Sequence, residues 1–70
     1  MAQKFVFGNV QGLYASPSDI FVNMKGKWYF ANTPIATGIL TVASDARRAG
    51  NPVLLSYEDS NDHIYFIECL

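Results

Sequence analysis

The chain lacks most of the features by which small proteins reveal a chemistry. Its 70 residues hold one cysteine, Cys69, and one histidine, His63. A lone cysteine excludes an internal disulfide, and a single histidine beside it gives no zinc-ligand spacing, so no metal site and no cofactor are expected. Charge is scarce as well. Charged residues make up 16% of the sequence, against roughly a quarter in an average domain. The net charge is −1 and the longest basic run is Arg47-Arg48, which disfavours nucleic acid as a partner because its binders carry a clear positive excess. No apolar run approaches the roughly 18 residues of a membrane span. The opening MAQKFVFGNVQ has one lysine and no long apolar core, so it does not read as a signal peptide. The expectation is an intracellular protein, or a chain that starts at a processed mature end.

What is present is apolar: half of the residues. A domain this short buries only about 60% of the surface its unfolded chain exposes. Small domains make up the deficit with disulfides, a metal or partner subunits. The first two are excluded, so self-association is the expected remedy.

One segment, Thr33 to Gly50, reads as a helix, TPIATGILTVASDARRAG. Thr33 is placed to cap its first turn and Pro34 to occupy the first helical position. Arg47 and Arg48 suit the negative end of the dipole, and Gly50 suits a left-handed stop ahead of Asn51-Pro52. Ile35, Ile39, Val42, Ala43 and Ala46 form one apolar stripe at helical spacing. Away from it lie Thr37, Gly38, Thr41, Ser44 and Arg48. A solvated face normally carries long Lys and Glu side chains. Small hydroxyls and a glycine instead predict a packed face, an oligomer interface.

The rest reads as strand. Lys4 to Tyr14 is interrupted by Gly8 and Gly12, which predict a bend. Ala15 to Ser18 is a turn by composition. Asp19 to Met24 (DIFVNM) and Lys27 to Ala31 (KWYFA) flank Lys25-Gly26 and form a hairpin. Val53 to Tyr57 is a fourth strand, Glu58 to Asp62 an acidic loop, and His63 to Leu70 a fifth strand. The order β-β-β-α-β-β, in one domain spanning residues 1–70, is that of a mainly β protein and in particular of the OB-fold, a five-stranded Greek-key barrel with a helix between strands three and four.

In length, in element order and in the run from Tyr14 through Asn32 (a polar turn, DIFVNM, a short turn, then a strand ending Phe30-x-Asn32) the chain resembles the B subunits of bacterial AB5 toxins, the Shiga-toxin type above all. The likeness continues into a helix that ends in alanine and glycine before Pro52-Val53-Leu54. It departs in holding one cysteine where those subunits have an internal disulfide, and its opening residues are not expected to be a leader. The resemblance implies a homopentameric ring with joined edge strands and pore-lining helices, an exposed glycan-binding face, and a second protein that docks on the ring.

Catalysis requires convergent titratable groups. His63 beside Glu58, Asp59 and Asp62 is the one cluster on offer. It reads as a solvated turn, and the loop lacks the alternation and glycine of a calcium site. Cys69, with no activating neighbour, reads as a half-buried strand residue. No enzyme is expected. Trp28, Tyr29 and Phe30 must place aromatics on both faces of their strand, and Tyr65 and Phe66 are expected to repeat that alternation. One ring on each strand is left for an interface or a ligand. Trp28, Tyr29, Asn32 and Tyr65 are the ligand-binding candidates, with Asn23 as a further polar group and carbohydrate as the ligand the resemblance implies. Two other readings stand beside it: a single-stranded nucleic-acid binder stacking bases on Trp28, Tyr29 and Tyr65, and a purely structural or adaptor subunit.

Overall fold

The computed structural model describes residues 2–32 and 35–69. It is mainly β, with two small antiparallel sheets and one helix. The strands are β1 (Gln3–Gly8), β2 (Gly12–Ala15), β3 (Asp19–Met24), β4 (Lys27–Asn32), β5 (Val53–Glu58) and β6 (Ile64–Cys69); the helix α1 spans Ala36–Ala49 between β4 and β5. One sheet has the order β2-β3-β4 and the other β1-β5-β6.

The expected first strand is therefore two strands, making six rather than five. The chain leaves β1 at Gly8, turns inward at Val10, which is 5% exposed, and re-enters a different sheet at Gly12. Val10 is an apolar plug at the bend. Asn9 donates its side-chain amide to the carbonyl of Gly50, 3.1 Å away, and so fastens the bend to the end of the helix. Among the described residues the sheets do not close into a barrel. Among the described residues one parallel bridge, Phe30 with His63, joins β4 to the residue ahead of β6, supported by the Phe30 N–H donating to the carbonyl of Asp62 at 3.1 Å.

The β3–β4 hairpin has the expected register, Met24 opposite Lys27. Both turn residues take positive φ, 54° at Lys25 and 81° at Gly26, the pairing a type I′ turn demands. The helix ends as read: Gly50 is left-handed at φ 73°, and the Asn51 N–H reaches the carbonyl of Ala46 at 2.9 Å. This is the Schellman closure. Its start differs. The cap expected at Thr33 and Pro34 lies outside the described residues, and Ile35 stands at the N-cap with no side-chain cap bond.

The core is filled from both sheets and the helix. Ile20, Val22 and Met24 enter from β3, Tyr29 and Ala31 from β4, Val53 and Leu55 from β5, Ile64 from β6, and Ile39, Ala43 and Ala46 from α1. Alternation along β3 is strict, so Phe21 and Asn23 face outward. In β6 it fails. A register shift opposite Ser56 and Tyr57 separates Ile64, paired with Tyr57, from Ile67, paired with Leu55. Tyr65 and Phe66 both lie between these partners of inward-facing residues, and both are exposed, at 46% and 40%. The expected alternation of those two rings is replaced by a bulge that puts both outside. Cys69 is exposed rather than half-buried.

Candidate binding face

The outer side of the β2-β3-β4 sheet carries the richest surface. Register sets its layout. Tyr14 on β2 lies opposite Phe21 on β3, which lies opposite Phe30 on β4. The ring centroids of Tyr14 and Phe21 are 5.6 Å apart, and those of Phe21 and Phe30 are 6.3 Å apart. His63 extends the row across the seam, with its ring perpendicular to that of Phe30 at 5.2 Å. Four rings thus cross the sheet in one line, at spacings favourable for aromatic pairs.

About 7 Å along the strands, two residues away, the next row is Gly12, Asn23 and Trp28. Trp28 is 49% exposed, and its indole lies across the sheet as far as β2: a Cβ placed on Gly12 would stand 3.4 Å from Trp28 Cη2. The missing side chain at Gly12 leaves the surface over which the indole extends. Between Trp28 and the Tyr14–Phe21 pair runs an open groove of about 330 Å³, lined almost wholly by apolar atoms. On the opposite flank of the aromatic row Asp19 faces Asn32. Asn32 Oδ1 accepts a hydrogen bond from His63 Nε2 at 3.1 Å.

The structure divides the four ligand-binding candidates. Trp28 and Asn32 belong to this face, two rows apart on β4. Tyr29 does not: it is 4% exposed, opposite Val22, with its ring 4.6 Å from that of Tyr57 inside the core. Burial pushes its phenol up from the ordinary tyrosine value. Tyr65 sits on the other sheet, where its hydroxyl donates to Glu58 Oε1 at 2.5 Å. That bond lowers the Glu58 carboxyl and raises the Tyr65 phenol. The sequence reading missed Tyr14, Phe21 and His63 as members of the site. The signal for Phe21 was present, since assigning Ile20, Val22 and Met24 inward sends Phe21 outward.

The cluster considered for acid–base work is dispersed. Glu58 Oε2 accepts from the Ala2 N–H, 3.0 Å away, and from Ser60, Asp62 pairs with Lys27 at 3.0 Å, and His63 turns to Asn32. The Lys27 ammonium, held charged chiefly by its hydrogen bond to Asp62, also lies 5.4 Å from the centroids of Tyr29 and Tyr57. Among the described residues no three metal-binding side chains converge, and no helix is long and apolar enough to cross a membrane.

The helix residues read as an interface are solvent-facing in the single chain. Thr37, Gly38, Thr41 and Arg48 are exposed and Ser44 is half-buried. Thr41 Oγ1 donates to the carbonyl of Thr37 at 3.0 Å, and Arg48 reaches Asp45 at 3.3 Å. Beside this face, Ile35, Gly38, Val42, Tyr65, Phe66 and Ile67 line an open groove of about 380 Å³ between α1 and β6.

Comparison with models of protein families, with characterised proteins and with solved structures found no match for this chain.

Proposed function

We propose that the protein is a non-enzymatic, oligomeric OB-fold subunit that binds carbohydrate on the outer face of its β2-β3-β4 sheet. The observation that carries the reading is the apolar groove of Tyr14, Phe21 and Trp28, with polar side chains on either flank of the aromatic row. Sugar rings present C–H faces that stack on aromatics and edges of hydroxyls that need directed hydrogen bonds. Asn23 flanks the row on one side, and Asp19 and Asn32 on the other. A base-stacking role fits less well: Asp19 is an anion on this face, and the ammonium of Lys27 is already paired with Asp62.

The barrel reading is supported by the strand circuit. The bent β1–β2 segment joins β3, β3 joins β4, β4 touches β6 through the Phe30–His63 bridge, and β6 joins β5, which returns to β1. Counting β1 and β2 as one strand, that order is the one an OB barrel would follow, with the Phe30–His63 bridge in place of its last seam. A ring of five copies, as the resemblance implies, is supported by the groove between α1 and β6, by the small side chains of Thr37, Gly38, Thr41 and Ser44, and by open strand edges that association would cover.

A glycan array tests the ligand reading. The wild type is expected to bind a subset of glycans, and Trp28→Ala is expected to lose at least about tenfold in affinity, the scale of one lost aromatic contact. An empty array, with salt-sensitive binding of single-stranded oligonucleotides, would replace it with the nucleic-acid reading. Light scattering at low and high salt tests the ring: five chain masses at both salts support it, and a monomer refutes it.

A further inference from the structure

Resting on the carbohydrate reading above, we propose that His63 is a specificity-determining residue that, with Asn32, sets which hydroxyl patterns the site accepts. The inference starts from the seam between the sheets. His63 is half-buried there, its main-chain N–H bound to Asn61 Oδ1 at 3.0 Å and its ring set edge-on to Phe30. Its remaining contact fixes the chemistry. Asn32 Oδ1 can only accept, so His63 Nε2 carries the hydrogen of their 3.1 Å bond.

Two consequences follow from that assignment. The amide of Asn32 is oriented by its oxygen, leaving both Nδ2 hydrogens for another partner. In the neutral imidazole Nδ1 is then an acceptor, and among the described residues neither Nδ1 nor Asn32 Nδ2 has a hydrogen-bond partner. An oriented donor and an oriented acceptor therefore stand at the end of an aromatic row. Vicinal hydroxyls of a pyranose, one accepting and one donating, are the ligand chemistry that matches such a pair. Inverting one hydroxyl would leave one partner unmatched, which is how a polar pair discriminates epimers.

The position of His63 in the chain gives it this role. It stands immediately ahead of β6 and bridges to Phe30 of β4, so the sheet that carries the aromatic row borrows its polar end from the segment that leads into the other sheet. Neither sheet has the pair alone.

The experiment is titration of the full chain by two-dimensional NMR with three probes: the methyl α-pyranosides of glucose, galactose and mannose. Three proteins are compared: wild type, His63→Phe, which keeps a ring against Phe30, and His63→Gln, which keeps a donor and an acceptor. The wild type is expected to shift the amides of Tyr14, Phe21 and Phe30 and to prefer one epimer. His63→Phe should bind that epimer about threefold to tenfold more weakly, the scale of one hydrogen bond, and bind the three sugars nearly alike. His63→Gln should recover most of the preference. A preference unchanged in His63→Phe, with the same amides shifting, would overturn the role of His63 and leave the binding face standing. No response of those amides to any sugar in the wild type would overturn both.

Discussion

The outer faces of the two sheets are built from similar residues and treat them differently. On the β1-β5-β6 sheet, the side chains of Gln3, Ser56 and Glu58 are bound within the fold. Ser56 is fully buried and accepts from Gln3 Nε2 at 2.6 Å, while Glu58 gathers Ala2, Ser60 and Tyr65. On the β2-β3-β4 sheet, Asn32 is held among the described residues by its Oδ1 alone, and the aromatics line an open groove. Exposed rings occur on both, Phe5 and Phe7 at 56% and 51% on the first and Tyr14 and Trp28 at 59% and 49% on the second. Ring exposure does not distinguish a binding face. The polar hub at Glu58, which has no counterpart among the described residues of the other sheet, is what sets the two faces apart.

Adjacent residues of β3 put this contrast under the greatest strain. Ile20 is 1% exposed in the shared core, while Phe21 faces the groove. Ile20→Ala is expected to cost about 2–5 kcal/mol in denaturant unfolding, as buried large-to-small changes do. Phe21→Ala should cost about 1 kcal/mol, mainly its pairings with Tyr14 and Phe30, yet remove sugar binding. Equal losses of stability would mean that Phe21 is core and that the face is no separate surface.

The polar hub of the other sheet predicts an acid response. Glu58 is held below its ordinary value, first by the Tyr65 hydroxyl and then by the Ser60 and Ala2 donors. A carboxylate depressed in the folded state stabilises fully above its unfolded value, near 4.5. That contribution is lost as pH falls through the lower, folded value. Thermal melts of wild type and Glu58→Gln should therefore differ most above pH 5 and draw together below pH 4. A constant difference across that range would assign the hub's role to shape rather than charge.

The smallest effect is expected at the hairpin. Lys25 holds a φ of 54° without the short polar side chain that the left-handed region favours. Lys25→Asn should stabilise by up to about 1 kcal/mol, since Asn-Gly is the preferred type I′ pair, and leave the groove untouched. Destabilisation measured in denaturant would show that Lys25 contributes through its contact over Gly8, where a Cβ would meet its Cε at 3.2 Å.

Local signals were read where they were sufficient. The β3–β4 hairpin is legible because alternation and a two-residue turn fix register together, and the helix end because Gly50 and Pro52 are unambiguous. The two glycines disclosed a bend of the kind that carries a strand between sheets, but not that the strand is interrupted there, with Val10 buried in the gap. Three neighbouring aromatics, Trp28 to Phe30, have no orientation until Tyr29 is set opposite Val22, which requires the partner strand. The bulge at Tyr65 and Phe66 has no local mark, because its cause is the demand that Ile64 and Ile67 both reach the core. His63 was read with its sequence neighbours, the acidic loop. Its working partner, Asn32, is 31 residues away.

The bent first strand also sets an order of events. The β3–β4 hairpin closes on two residues, whereas the N–H of Ala2 meets Glu58 across 56 positions. Closing so long a loop is entropically slow, and topologies rich in such contacts fold slowly. On the ribosome β1 is made before β5, its one sheet partner among the described residues, and waits for it. Phe5 and Phe7 emerge early on a strand with nothing to pair with. The newborn chain is most at risk of sticking to its neighbours through the strand whose partner is still to be made.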